Sequence, residues 1–182
     1  MPSICLSPST QEYNPWVIGG DEEYYMNLIA DAMIPYLDSC GIRWTRNSPD
    51  MTAATSIIAS NSGLYDVHLA LHSNAAPSYL SGQIQGPDVY YYPSSVWGKK
   101  LAEIIAGNLR AIYPNPSLVD IRPTTALGEV SRTRAPAVLI EFGYHDNRDD
   151  ALWMADNIGN IARNVVLSLT QYFGIPFIEP RS

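Results

Sequence analysis

The hydrophobic positions of the chain change period several times, which predicts strands alternating with helices. Short apolar runs typical of strands occupy residues 4–6, 42–45, 67–71, 89–92, 118–121 and 137–140. Helices are predicted over residues 21–40, 51–60, 96–112 and 149–173. Strands that alternate with helices need crossover connections, so the pattern predicts an α/β fold. We expect a mostly parallel, twisted central sheet of about six strands with helices on both faces.

Composition favours a single domain over residues 1–182. The chain is 46% hydrophobic and 16% charged, and it has no internal repeat, low-complexity tract or linker. A chain of this size buries roughly 70% of the surface that its unfolded form exposes, so it can build a core without disulfides or a structural metal. Cys5 and Cys40 are not part of a C-x-x-C pair and do not suggest a zinc ribbon.

The charge pattern excludes several classes of partner. The net charge is −7, and the 11 basic residues are scattered along the chain. Nucleic acid is therefore a poor candidate partner. No apolar run approaches the roughly 20 residues of a membrane span, and the first residues do not resemble a signal peptide. We expect the chain to remain in the cytoplasm or to be released by another route.

Ionisable side chains stand where two of the predicted strands end. His72 follows the strand at 67–71, and Glu141 follows the strand at 137–140. In open α/β sheets, ligands bind at the carboxyl ends of the strands, so both residues are candidates for a site. Each also has a purely structural interpretation: His72 as a hydrogen-bonded residue at a strand end, and Glu141 as the ion-pair partner of Arg132 or Arg134.

Four segments together resemble the zinc-dependent N-acetylmuramoyl-L-alanine amidases of the amidase 3 type. They are the helix that begins near Glu23, then DVHLALHSNA, VYYYPSSVWGKKLAEII and APAVLIEFGYHDN. The resemblance extends over essentially the whole chain. A strand that ends in His-Ser-Asn-Ala and another that ends in Pro-Ala-Val-Leu-Ile-Glu are specific in combination, although either alone is a weak signal. No wall-binding module accompanies this pattern.

The resemblance implies a zinc site with one departure from the family. In such amidases a histidine after the first strand, a glutamate at the start of the first helix and a histidine at a later strand end hold zinc. Here Glu23 takes the helix position and His72 the strand position, while Glu141 takes the place of the catalytic base. The first histidine is missing, and the third ligand is predicted to be Gln11 or His145.

Neighbouring residues leave other choices open for the metal ligands. Glu22 adjoins Glu23, but adjacent helical residues point about 100° apart, so only one can face the site. Glu23 is preferred because of the apolar register that follows it, and a carboxylate of Glu12 or Glu22 remains an alternative. His68 shares a strand face with His72 but lies about 13 Å away, so it is predicted to be a hydrogen-bonded core histidine. His145 has a structural alternative too, as a residue that flanks a helix N-cap.

The implied reaction is hydrolysis of the amide between N-acetylmuramic acid and the L-alanine of the peptidoglycan stem. A zinc-activated water would attack the amide, and Glu141 would act first as base and then as acid. Substrate contacts are predicted for Asn74, Arg132 and Arg134. The alternative is a metal-free, amidase-like domain that binds cell-wall fragments or a protein partner without cleaving them. A serine hydrolase is disfavoured because the G-x-S-x-G motif is absent.

Overall fold

One six-stranded sheet forms the centre of the molecule. The computed structural model describes residues 1–181. The strands are β1 (Ser3–Pro8), β2 (Arg43–Arg46), β3 (Val67–Asn74), β4 (Asp88–Tyr91), β5 (Asp120–Pro123) and β6 (Ala137–Tyr144). The helices are α1 (Glu22–Ser39), α2 (Ala53–Ser62), α3 (Val96–Arg110), α4 (Gly128–Ser131), α5 (Arg148–Asp156) and α6 (Ile158–Phe173). Short 3-10 helices span Ser78–Leu80 and Pro116–Leu118.

The sheet has the strand order β2-β1-β3-β6-β4-β5 and is mostly parallel, as predicted. Strands β2, β1, β3 and β6 run in one direction, whereas β4 is antiparallel to β6 and parallel to β5. The beginning of β4 therefore lies at the same edge as the ends of β3 and β6. This reversal brings Asp88, the first residue of β4, beside Glu141 of β6.

The two faces of the sheet differ in polarity because side chains alternate along each strand. On the first, here called the apolar face, strand residues pack with α1, α3 and α6 into the main core. These strand residues include Ile4, Leu6, Leu69, Leu71, Ile140 and Phe142. On the second, here called the polar face, the intervening residues are covered by the small helices α2 and α4. They include Cys5, Ser7, His68, Ala70, His72, Leu139 and Glu141.

The prediction of one helix over residues 149–173 is wrong. Helix α5 ends at Asp156 and α6 begins at Ile158, with Asn157 between them in a non-helical conformation. Asn157 donates from Nδ2 to the carbonyl oxygen of Trp153, which closes the end of α5. Helix α5 packs on β6, while α6 packs between α1 and α3. A change of direction at a single residue does not interrupt the hydrophobic period, so the sequence pattern shows one helix.

Helix α4 was not predicted from the sequence, because four residues are too few to show a helical period.

Cys5 and Cys40 are unpaired, buried thiols. Among residues 1–181, no helix is both long and apolar enough to cross a bilayer.

Candidate active site

His72, the third residue from the C-terminal end of β3, has a carboxylate on each side of its imidazole ring. Its Nδ1 lies 2.9 Å from Oε1 of Glu22, and its Nε2 lies 2.8 Å from Oε2 of Glu129. Burial alone would lower the pKa of His72, but hydrogen bonds with Glu129 and Glu22 outweigh it and hold the pKa well above its ordinary value. The ring is therefore a buried cation between two anions.

Glu22, rather than Glu23, is the helix-start carboxylate that faces His72. Asp21 caps α1 by accepting a hydrogen bond from the Tyr24 backbone N–H at 2.8 Å, which sets the rotation of the first turn. Glu22 is buried and also accepts a hydrogen bond from Nδ2 of Asn14 at 2.7 Å. Burial would raise the pKa of Glu22, but His72 outweighs this effect and lowers it.

Glu23 lies on the other side of α1, in a surface groove that also contains Glu12 and Arg46. Burial and the nearby charge of Glu12 raise the pKa of Glu23. The register that favoured Glu23 over Glu22 in the sequence is thus not supported by the geometry. The reason is the 100° rotation between adjacent helical residues, which lets only one of the two reach the sheet edge.

Glu129 of α4 joins His72 to the interior of the polar face. Its Oε1 accepts a hydrogen bond from Oγ of Ser7 at 2.5 Å and lies 3.3 Å from Nε2 of His68. Burial would raise the pKa of Glu129, but the hydrogen bonds of His68 and His72 dominate and hold it well below its usual range. Three donors thus surround a single buried carboxylate.

His68 is a buried, hydrogen-bonded histidine of the polar face, as the sequence predicted. Its Nδ1 lies 2.9 Å from Oγ of Ser60, and its Nε2 faces Glu129. Burial lowers the pKa of His68, but hydrogen bonding with Cys5 and Glu129 outweighs it and raises the pKa to about 9. The residue supports Glu129 from below and does not reach the strand ends.

Glu141 lies beside His72, because the two residues are register partners on β6 and β3. Within residues 1–181, nothing donates a hydrogen bond to its buried Oε2 atom. Burial raises the pKa of Glu141 to about 8; the His72 cation opposes this rise, and the negative charges of Glu22 and Asp88 add to it. A carboxyl group with such a pKa can both accept and donate a proton near neutral pH.

The side-chain amide of Gln11, in the loop after β1, also lies beside the His72 ring. Its Nε2 lies 3.4 Å from Nδ1 of His72. Its Oε1 accepts hydrogen bonds from the hydroxyl of Tyr13 at 3.2 Å and from Nδ2 of Asn14 at 3.1 Å. The loop therefore supplies an amide where the sequence lacks the family histidine.

Comparison with known proteins identifies the family of the chain. Residues 9–171 match the amidase 3 family, described as N-acetylmuramoyl-L-alanine amidase. The chain belongs to this amidase family. A comparison with curated proteins returned no match.

Solved structures of amidases share the fold at low sequence identity. The amidase AmiC2 of Nostoc punctiforme superposes with a TM-score of 0.83 at 16% identity, covering 95% of this chain and 97% of the other. An N-acetylmuramoyl-L-alanine amidase from Clostridium difficile 630 gives 0.82 at 15% identity, with coverages of 95% and 97%. The catalytic domain of the CD27L endolysin, which targets Clostridia difficile, gives 0.76 at 21% identity, with coverages of 94% and 98%. Family membership supports a cell-wall amidase function.

Two other predicted site residues lie near the strand ends but do not contact His72. His145 of this amidase is buried, and its Nδ1 lies 3.0 Å from Oγ and 3.1 Å from the carbonyl oxygen of Ser73. The side-chain hydrogen bonds of His145 thus go to Ser73, the neighbour of His72 on β3, and none joins it to His72 within residues 1–181. Asn74, at the end of β3, accepts a hydrogen bond from the backbone N–H of Ala75 at 2.9 Å.

Arg132 and Arg134 precede β6, whereas Glu141 lies within it. The carbonyl oxygen of Arg132 and the backbone N–H of Arg134 both bond to Asn61, in α2, at 2.8 and 2.7 Å. Arg134 precedes the strand, and the four-residue step from Ala137 to Glu141 alone spans about 13 Å. Nearness in sequence to Glu141 was therefore a poor guide, and the structure does not bring these arginines to the site.

Sequence reasoning missed two acidic residues of the site. Glu129 lies in a helix too short to predict, and its only signal is a single charge close to the most apolar strand. In an all-parallel sheet, Asp88 at the start of β4 would lie at the opposite end of the strands from a residue near the end of β6. It lies at the site because β4 is antiparallel to β6, and it binds Nε of Arg122 at 2.6 Å.

The acidic and imidazole side chains alone do not form a metal centre. In the part of the chain that the structure describes, no group of three or more His, Cys, Asp and Glu is arranged to hold a metal ion. His72 and Glu22 provide two donors, and any third donor near Nδ1 of His72 must come from another residue type.

Proposed function

We propose that this family member hydrolyses the amide between N-acetylmuramic acid and L-alanine in peptidoglycan, with zinc held by His72, Glu22 and Gln11. The main support is the buried, unpartnered Oε2 of Glu141 beside His72 in a chain of this family. A buried carboxylate oxygen without a donor is costly, and an attacking water would give it a hydrogen bond.

The distances from His72 to the other two donors suit a metal ion. Zinc bonds of about 2.0–2.2 Å place tetrahedral donors about 3.3 Å apart. Nδ1 of His72 lies 2.9 Å from Glu22 and 3.4 Å from the Gln11 amide. A half-turn of the Gln11 amide would present its oxygen to a cation, and Tyr13 and Asn14, which donate to that oxygen, would then have to turn away.

The charge of the site also favours a cation. Glu22, Glu129 and Glu141 meet around His72, and Asp88 adjoins Glu141. Carboxylates that share a buried site repel one another, and a positive ion among them relieves that repulsion. When bound, zinc supplies Lewis acidity, which acidifies water and polarises a carbonyl group.

Glu141 performs the proton transfers in this proposal. Its Oε2 accepts a proton from the attacking water and then delivers it to the nitrogen of the leaving alanine. Burial raises the pKa of Glu141, which favours its holding the proton until the leaving nitrogen accepts it. His72 and Glu22 hold their positions, because each is buried and hydrogen-bonded on more than one side.

Adjacent glutamates provide a matched pair of variants for the test. Zinc binding to chelator-treated protein would be measured by calorimetry for wild type, Glu22→Gln and Glu23→Gln. We expect Glu22→Gln to weaken zinc binding more than about 100-fold, since even loss of a group that only orients a ligand costs 10–100-fold. Glu23→Gln should stay within about twofold. Cleavage of a muramoyl-peptide, followed by mass spectrometry, should need zinc.

Each other outcome has a definite meaning. Loss of zinc binding in Glu23→Gln alone would return the ligand role to Glu23. A protein that takes up no zinc and cleaves nothing would overturn the proposal. Muropeptide binding under those conditions would support the alternative of a metal-free binding domain.

A further inference from the structure

Glu129 reaches His72 from the side opposite Glu22, and the reaction proposed above does not use it. Helix α4 places this carboxylate under the end of β3, where it is 5% exposed. Its Oε2 lies 2.8 Å from Nε2 of His72. A charge in so buried a position is costly unless every partner is well placed.

Each neighbour of Glu129 must act as a hydrogen-bond donor, because an ionised carboxylate only accepts. Ser7 donates through its hydroxyl, and His68 and His72 donate through Nε2. The contact with Glu129 therefore keeps a proton on Nε2 of His72. Nδ1 remains as the position directed at Glu22 and Gln11, where it can hold a proton or a metal ion.

We propose that Glu129 is a positioning residue that fixes the tautomer and the ring orientation of His72. The metal-directed part of this inference rests on the proposed function. The part that concerns the proton on Nε2 depends only on the Glu129–His72 contact. Carboxylates that accept the second N–H of a metal-binding histidine commonly raise metal affinity in this way.

The surroundings of Glu129 resist its movement. Ser7 holds Oε1 at 2.5 Å and itself accepts a hydrogen bond from Nδ2 of Asn47 at 3.3 Å. His68, behind Glu129, is anchored by Ser60 at 2.9 Å. A buried carboxylate needs such partners in any role, and here they hold Glu129 in a single orientation. The hydrogen-bonded series from Ser60 through His68 and Glu129 thereby fixes the orientation of the His72 ring.

Nitrogen-15 NMR of the histidine rings tests the role directly, with and without zinc. In wild type we expect a slowly exchanging, downfield Nε2–H signal from His72, as for a proton held by a carboxylate. Glu129→Gln should shift that signal upfield or remove it, because an amide is a weaker acceptor. Glu129→Met, which has no comparable acceptor, should remove it. Both variants should bind zinc about 10–100-fold more weakly.

Glu103→Gln is the control, because Glu103 is an exposed carboxylate of α3 that pairs only loosely with Lys99. Its ring signals and zinc affinity should match wild type. The inference is overturned if both Glu129 variants keep the wild-type Nε2–H signal. If wild type binds no zinc, the proposed function fails, but the ring signals still decide the role of Glu129.

Discussion

The two faces of the central sheet use the same strands for different purposes. In β3, Leu69 and Leu71 point into the main core, whereas His68 and His72 point to the polar face. In β6, Glu141 and Phe142 are adjacent and point in opposite directions. One face provides apolar burial, and the other provides a row of ionisable groups. This contrast shows how a small domain supports a charged site without giving up its core.

The protein can bury the charged side chains of the polar face because most of them are paired with an opposite charge or a hydrogen-bond donor. Glu129 has three donors, and His72 has two carboxylates. Glu141 is the exception, since its Oε2 has no donor among residues 1–181. We therefore expect substitutions on the two faces to separate stability from activity.

The largest effect is expected for Glu141→Gln, which preserves shape but removes the proton acceptor. The rate of muramoyl-peptide cleavage should fall about 10²–10⁴-fold, the usual contribution of a general base. Zinc content, measured on the same samples, should be unchanged. Activity close to wild type would remove Glu141 from the base role and would weaken the division between the faces.

The same variant should be more stable than wild type at alkaline pH when chelator is present. The pKa of Glu141 is about 8 in the folded protein and near 4.5 when unfolded. Between these values the folded state holds a proton that the unfolded state has lost, so stability falls as pH rises. Urea unfolding should show a gain of about 1–3 kcal/mol at pH 8–9 that disappears near pH 4.5. A gain in the free energy of unfolding that does not change with pH would contradict this explanation.

Phe142→Ala should destabilise the protein strongly from the apolar face. Phe142 is completely buried in the main core. Its loss should lower the free energy of unfolding by about 3–5 kcal/mol, measured by urea denaturation. Ile58→Ala, at a position that is 64% exposed, is the control and should change it by about 0.5 kcal/mol or less. Equal effects would mean that Phe142 does not contribute as a core residue.

Ser7→Ala should lower the stability of the protein less than Phe142→Ala does. It removes the hydrogen bond to Glu129 and leaves one donor fewer on a buried carboxylate. A loss of about 1.5–3 kcal/mol is expected, as for hydrogen bonds to charged groups. Ser62→Ala, which removes an exposed hydroxyl that bonds only to the Ile58 carbonyl, should change little. A neutral Ser7→Ala would show that Glu129 is held mainly by the histidines.

Much of the fold could be predicted because strands and amphipathic helices leave a local period. The mostly parallel sheet follows from their alternation, and residues 4–6 and 67–71 fall inside strands of the structure. The hydrophobic period does not show where a single residue changes the direction of the chain. Asn157 divides the final helix, and α4 is too short to leave a period at all.

The sequence by itself determined that His72 and Glu141 follow apolar, strand-forming runs, although both strands continue past them, to Asn74 and Tyr144. Tertiary structure decided which groups meet them. Helix rotation selects Glu22 over Glu23, and the reversal of β4 brings Asp88 to Glu141. Glu129 meets His72 across 57 residues of chain. Such contacts depend on how helices and strands pack against one another, and the local sequence pattern does not predict that packing.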